Sequence, residues 1–226
     1  MDNLLVVISG PSGGGKSTII KELLSRNEQD YRRISTFTTR PKRPNEVDRE
    51  QYHFITQERY DRLDGKGLLV AKNTVDGYLY GAPLIDMNAF ENRGKFLIMD
   101  MGVSGAAELK GLYKNSVCIY IIPPTQERLL SQMGTRGYER FVRSKKQIKR
   151  VKDVCDWLVI NDDLETAASQ IQKIMHTIKE YATNFDSVDE ETMRFLYDRN
   201  FHNKQNIDFL DNFYHTKERT EEEFGE

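Results

Sequence analysis

Short apolar runs alternate with longer amphipathic stretches along most of the chain. Leu4–Ser9 (LLVVIS) is apolar at nearly every position, which predicts a strand buried on both faces. It runs straight into a Gly-rich turn, and Lys16–Arg26 then carries apolar residues at helical spacing. The same pairing recurs: Phe96–Met101 before Ser104–Tyr113, Val117–Ile122 before Gln126–Met133, and Trp157–Ile160 before Leu164–Tyr181. Strands alternating with helices of this length predict an α/β body, a parallel central sheet covered by helices on both faces. Residues 34–95 break the rhythm; they are polar, rich in Arg, Tyr and Gly, and predict an inserted lobe of irregular strands. The character changes again after residue 182, so the expected division is a body of residues 1–182 and an extension of 183–226. Within the extension, Asp189–Tyr197 and Asn206–Tyr214 have helical spacing, and the chain closes on Glu221-Glu222-Glu223. Phe195, Leu196, Phe209, Leu210, Phe213 and Tyr214 fall in near-helical clusters there, which predicts docking on the body or on a second copy as a homodimer.

Composition narrows the class. The chain has 226 residues with 38% hydrophobic side chains, enough for a real core. Mean hydropathy is -0.65, and no apolar run approaches the roughly 20 residues of a membrane helix. The start, Met1-Asp2-Asn3, lacks the basic and apolar regions of a secretory signal. Two cysteines without metal-like spacing suit a reducing, cytoplasmic setting and no membrane association. The net charge of -2 hides an asymmetry, since residues 183–226 carry -7 and the remainder +5. A basic body suits a handler of phosphate anions, although ordinary surface variation produces such a balance too.

Gly10-Pro11-Ser12-Gly13-Gly14-Gly15-Lys16-Ser17 fits G-x-x-x-x-G-K-[ST], between a predicted strand and a predicted helix. The glycines let successive backbone N–H groups point inward at phosphate oxygens, and the helix presents its positive end to the same anion. Lys16 then reaches the β- and γ-phosphates, the Ser17 hydroxyl holds Mg²⁺, and Thr18 adds a contact to the α-phosphate. The motif therefore reads as a nucleotide triphosphate site of the P-loop kind and does not name the acceptor. The guanine-reading N-K-x-D segment of a switch GTPase is absent from the sequence. The basic stretch 143–152 lacks interleaved aromatic residues, which argues against a nucleic-acid surface.

From Thr36 onward the sequence resembles the guanylate kinase family. Thr38-Thr39-Arg40-Pro41-Lys42-Arg43-Pro44-Asn45-Glu46 resembles that family's T-T-R-x-x-R-x-G-E, with Asn45 for its glycine. Tyr52-His53-Phe54, Tyr80-Gly81, Ile122-Pro123-Pro124, Arg136-Gly137 and Val159-Ile160-Asn161-Asp162-Asp163 follow in the family's order, so the resemblance spans residues 4–180. It implies a three-layer P-loop kinase fold with an acceptor-binding lobe (34–95) and a small lid (136–152). It also implies transfer of the γ-phosphoryl of ATP·Mg²⁺ to a nucleoside monophosphate, GMP or dGMP first. Thr36, Arg40, Arg43, Tyr52 and Tyr80 would serve the acceptor, with Glu46 orienting an arginine. Asp100 would hold Mg²⁺ through water, Arg136 would act from the lid, and Asn161 would contact ATP. The residue types suit the task, because forked guanidinium bonds neutralise a phosphate and tyrosine hydroxyls add donors without charge. Residues 136–152 carry eight basic side chains against one acidic one, as a lid closing over phosphate charge would.

Three departures from the family pattern fall on one function. Its guanine-binding Glu corresponds to Ala71, nineteen residues after Tyr52; its Ser or Thr after Y-G corresponds to Ala82, and the second Asp of its D-x-D to Gly102. The segment from Tyr138 to Trp157 is shorter than the family's, Gln132 stands where an arginine is usual, and a further lid arginine is either Arg143 or Arg150. Three acceptor readings follow. One has GMP or dGMP held by substitutes such as Lys72, Asn73 or Asp76; a second has another phosphomonoester, such as a different nucleotide or a ribose bisphosphate, in its place; a third makes the chain a non-catalytic binding module.

Overall fold

The computed structural model describes residues 3–44, 46–50, 52–85, 89, 92–133, 137–181 and 189–214. In chain order its elements are β1 (Leu4–Ser9), α1 (Lys16–Arg26), β2 (Tyr31–Arg33), β3 (Thr36–Thr38), β4 (Tyr52–Phe54) and α2 (Gln57–Gly65). There follow β5 (Leu69–Val75), β6 (Tyr78–Pro83), β7 (Phe96–Asp100), α3 (Val103–Leu112), β8 (Ser116–Ile122) and α4 (Gln126–Met133). The remainder is α5 (Gly137–Lys146), α6 (Ile148–Val154), β9 (Trp157–Ile160), α7 (Leu164–Tyr181), α8 (Glu190–Arg199) and α9 (Lys204–Tyr214).

The central sheet has the order β2-β7-β1-β8-β9, and every neighbouring pair is parallel. β1 lies in the middle, so the chain leaves its carboxyl end into the phosphate loop with a strand on either side. Each inner strand divides its side chains between two cores by the period of two that strands impose. Leu5, Val7, Leu97, Met99, Cys118, Tyr120, Ile122 and Leu158 face a layer with Leu109 of α3, Leu129 of α4, Phe141 of α5 and Leu210 of α9. Val6, Ile8, Ile98, Ile119, Ile121 and Val159 face the other way, toward Ile20 of α1 and Ile171 of α7. Burial on both faces is why these strands read as unbroken apolar runs. No helix among the described residues is long and apolar enough to cross a membrane.

The segment read as irregular strands forms a second sheet of order β4-β3-β6-β5, mixed in direction. Its strands are short and half exposed, so polar side chains occupy many positions. A bulge between Val70 and Asn73 shifts the register of β5 against β6, and Ala71 within it has a φ of +51°. The backbone N–H of Ala71 donates to Glu108 Oε1 on α3 at 2.6 Å, tying this sheet to the body.

The described part of the extension is helical and lies on the body. Asp189 caps α8 by accepting from the Thr192 N–H at 2.7 Å. Asn200 then bridges Trp157 at the edge of the main sheet. Phe201 is fully buried, as is Leu210, while Phe213 and Tyr214 are 6% and 2% exposed. The aromatic side chains of α9 are therefore spent on the chain's own core. Glu221-Glu222-Glu223 lies outside the described residues.

Because Phe201 is buried beside the sheet edge, Phe201→Ala should cost about 3–5 kcal/mol of unfolding free energy. Urea denaturation of the full chain measures this; a loss within error of zero would mean that the extension does not pack as described.

Candidate functional site

One cavity of about 800 Å³ opens at the carboxyl end of β1. The phosphate loop forms its floor: Gly10, Pro11, Ser12, Gly13, Gly15, Lys16, Ser17 and Thr18 all line it. Gly13 and Gly15 take φ values of +80° and +87°, the left-handed region that only glycine enters without strain. Gly15 also caps α1, and a Cβ there would collide with the Asn161 side-chain amide. The Asn161 amide donates to the Gly14 carbonyl at 3.1 Å, and the Asn161 backbone N–H donates to Ile122 at 2.8 Å. The end of β9 thus holds the loop from behind. Lys16 Nζ lies over the loop, donating to the carbonyls of Gly10 and Pro11 at 3.1 Å each. Its charge and the free N–H groups of the first turn of α1 address the same volume.

Across the cavity stand Arg40, Arg43, Glu46, Tyr52 and Tyr80. The pairing of β3 with β6 sets Thr38 against Tyr80, which brings Arg40 next to that tyrosine. Arg40 donates to Glu46 Oε1 at 2.7 Å and to the Pro41 carbonyl at 2.7 Å. Its guanidinium also lies 5.6 Å from the centre of the Tyr52 ring. Glu46 Oε2 accepts from the Arg43 backbone N–H at 2.8 Å, so one carboxylate fixes both arginine segments. Burial opposes the charge on Arg40, but the bonds from Glu46 and Tyr80 outweigh it and raise its pKa. Burial likewise opposes ionisation of Glu46, and its bonds to Arg40 and Arg43 win, lowering its pKa. Burial, then the neighbouring charge of Asp100, pushes the Tyr52 hydroxyl far up, so it stays a protonated donor.

Asp100, at the end of β7 and in register with Ile8, lines the cavity between these two groups. With the Ser17 hydroxyl it offers oxygen donors of the kind a hard divalent cation takes. From α5 and the residue that follows it come Arg140, Arg143, Ser144 and Gln147. The first three lie on α5 at helical spacing, on one face. Arg143, not Arg150, is the one of the two candidates on the cavity wall, and it pairs with Asp76 of the second sheet at 3.2 Å.

Thr36 is 6% exposed within the second sheet, beside Tyr52, and does not reach the cavity wall. Asn161 is likewise off the wall, bonded to the loop, and Gly14 is buried behind it. Arg136 lies outside the described residues. Arg140 was not singled out by the sequence reading, although its spacing of three from Arg143 on one helix could have shown it. Tyr120 on β8 also reaches the wall, where its sequence context suggested only packing. Behind Asp100 stands Arg33 of β2, whose pKa is lowered by burial while the charge of Asp100 works against that. Of the three departures, Ala71 and Ala82 are buried in the apolar core, and only Gly102 lines the cavity. Among the proposed substitutes, Asp76 is on the wall, whereas Lys72 is engaged with Asp64 at 2.7 Å.

A glycine-turned phosphate loop on the middle strand of a parallel sheet, sharing a cavity with a cluster of arginine and tyrosine side chains, defines a P-loop phosphotransferase. The model of one protein family, described as "Guanylate kinase", matches residues 2–178. The guanylate kinase of Thermotoga maritima is 34% identical over 200 residues, covering 85% of this chain and 96% of that protein. The guanylate kinase of Clostridioides difficile is 32% identical over 192 residues, covering 82% and 93%. The chain belongs to the guanylate kinase family. The crystal structure of guanylate kinase from Anaplasma phagocytophilum shares the fold, with a TM-score of 0.60 at 22% identity, over 78% of this chain and 86% of that one.

The Arg40–Glu46 pair, with side chains 11% and 16% exposed, is shielded enough to matter for stability. Since the folded-state pKa of Glu46 is depressed, its contribution is complete above the unfolded carboxylate range and is lost as pH falls through the folded value. Unfolding free energies of wild type and Glu46→Gln, measured from neutral pH downward, should differ by a constant amount at first and then converge in acid. A gap independent of pH would remove this ion pair from the explanation.

Proposed function

We propose that the protein is an ATP-dependent nucleoside-monophosphate kinase that converts GMP and ATP to GDP and ADP. The observation that carries this is the single cavity in which the phosphate loop and the Arg40–Glu46–Tyr52–Tyr80 cluster face each other. A donor triphosphate on the loop and an acceptor monophosphate on the cluster would share that volume, as direct transfer requires. No covalent enzyme intermediate is needed, because positioning and charge stabilisation suffice for phosphoryl transfer.

Each residue then has a defined task. Backbone N–H groups from Gly13 to Ser17 bind the donor phosphates, Lys16 reaches the β- and γ-oxygens, and Thr18 meets the α-phosphate. Arg40 and Arg43 grip the acceptor phosphate, with Tyr52 and Tyr80 adding neutral donors. Glu46 keeps Arg40 aimed and charged. Ser17, with Asp100 through water, would hold a Mg²⁺ that draws charge off the β- and γ-phosphates. Arg140 and Arg143 bring positive charge from the lid, with Arg136 assigned there by the family pattern. Asn161 serves ATP indirectly by holding Gly14, and Thr36 supports Tyr52 from the adjoining strand. The lobe at 34–95 and the lid at 136–152 act as the moving parts, and a cytoplasmic setting suits the two buried free thiols.

Base recognition differs from the family pattern. With no carboxylate at position 71, and with Asp76 paired to Arg143, the guanine edge would meet backbone groups instead, and the 2-amino group loses its charged acceptor. An ATP-consumption panel with GMP, dGMP, IMP, AMP, CMP, UMP, dTMP and ribose 1,5-bisphosphate tests this. GMP and dGMP should be turned over best, with IMP within about tenfold of GMP because one charged hydrogen bond is missing. Faster turnover of a pyrimidine nucleotide or the ribose bisphosphate, or none at all, would overturn the assignment.

A further inference from the structure

Tyr214 closes α9, beyond the segment that the family model matches, yet it lies directly behind the catalytic cavity. Its hydroxyl is 3.3 Å from that of Tyr120 on β8 and lies beside Ser144 of α5, whose own hydroxyl donates to the Arg140 carbonyl at 2.9 Å. Its ring stacks on Phe141 of α5, with centroids 5.4 Å apart and planes 29° from parallel. Tyr120 and Ser144 are themselves on the cavity wall. Phe141 sits between Arg140 and Arg143, which the same helix sends into the cavity. A single side chain thus joins a strand beside the phosphate loop to the helix that carries the lid arginines.

The rest of α9 is secured around that point. Lys152 of α6 bonds both oxygens of Asp211 at 2.6 and 2.7 Å. Gln126 of α4 donates to the Phe213 carbonyl. Lys110 of α3 holds the end of α6 through the Val154 carbonyl at 2.8 Å. α4 and α6, the helices on either side of α5, are thus each tied to α9, and the end of α6 also to α3. Burial raises the Tyr214 pKa to about 12 although the neighbouring Tyr120 and Ser144 hydroxyls lower it, so the hydroxyl is protonated across the working pH range. Burial, followed by Tyr214 itself, pushes Tyr120 up strongly as well. Two neutral hydroxyls, each able to donate and accept, form a connection that changes in pH do not break.

We infer that Tyr214 is a positioning residue for phosphoryl transfer, setting the distance of Arg140 and Arg143 from the phosphate loop by clamping α5 to β8. The inference rests on the kinase reading above and adds a contribution from the C-terminal extension. Tyr214→Phe removes the hydroxyl link and keeps the ring stack; Tyr214→Ala removes both.

With GMP and ATP saturating, Tyr214→Phe should lower kcat about threefold to tenfold, the range one neutral hydrogen bond supplies, with little change in either KM. The melting temperature should stay near that of wild type, and amide exchange within residues 137–146 should quicken. Tyr214→Ala should lose more activity. In an Arg140→Ala/Arg143→Ala background, Tyr214→Phe should have almost no further effect, because its action passes through those two arginines. A purely structural role would instead add its loss to that of the arginine double variant. Wild-type turnover and unchanged α5 exchange in Tyr214→Phe, or full additivity with the Arg140→Ala/Arg143→Ala pair, would overturn the inference. An inactive wild type would count against the kinase reading alone, and α5 exchange in the two proteins would still decide whether Tyr214 fixes the lid.

Discussion

A phosphate cradle works only if several backbone N–H groups are held pointing at one spot, an arrangement they do not adopt unaided. Here the constraint is met at the carboxyl end of β1, the middle strand of a parallel sheet. Glycines at positions 13 and 15 take left-handed φ values, and the carbonyl of Ile121 on β8 lies so close to Gly10 that no side chain fits there. Asn161 grips the loop from the end of β9. The sheet, its two apolar cores and the helix that follows the loop can all be understood as the frame for this turn.

The proposed acceptor site is built on different principles. No helix end supplies its charge; instead Arg40 and Arg43 are brought together by a short strand and a tight segment, and Glu46 fixes both. The partly buried Arg40–Glu46 pair carries a desolvation cost, which the bonds from Glu46 to both arginine segments offset. Tyr52 remains neutral beside Asp100 and Arg40 and adds a donor without adding charge. The phosphate loop and the Arg40 cluster belong to different sheets, and both line the cavity.

Legibility in the sequence followed burial. β1, β7, β8 and β9 are covered on both faces, and their apolar runs gave bounds within a residue of those observed. The strands of the second sheet were not legible: Thr36–Thr38 is too short to show a period, and the bulge after Val70 interrupts the alternation of Leu69–Val75. The cradle could be read whole because it is one contiguous segment with a mechanical meaning. Arg40 and Tyr80, forty residues apart, meet only through the β3–β6 pairing, so their partnership was visible only by resemblance. Arg140 was hidden in a basic run that also contains exposed lysines. Tyr120 and Tyr214 gave no local signal, since a buried tyrosine in a strand and one in an acidic tail both look like packing.

The proposed function puts donor and acceptor phosphates in one continuous cavity. Titration calorimetry with a bisubstrate analogue, adenosine and guanosine joined through a chain of five phosphates, addresses it directly. One molecule should bind per chain, and excess ATP and excess GMP should each displace it. Displacement by only one of the two nucleotides, or binding of two analogues per chain, would show that the loop and the Arg40 cluster are separate sites.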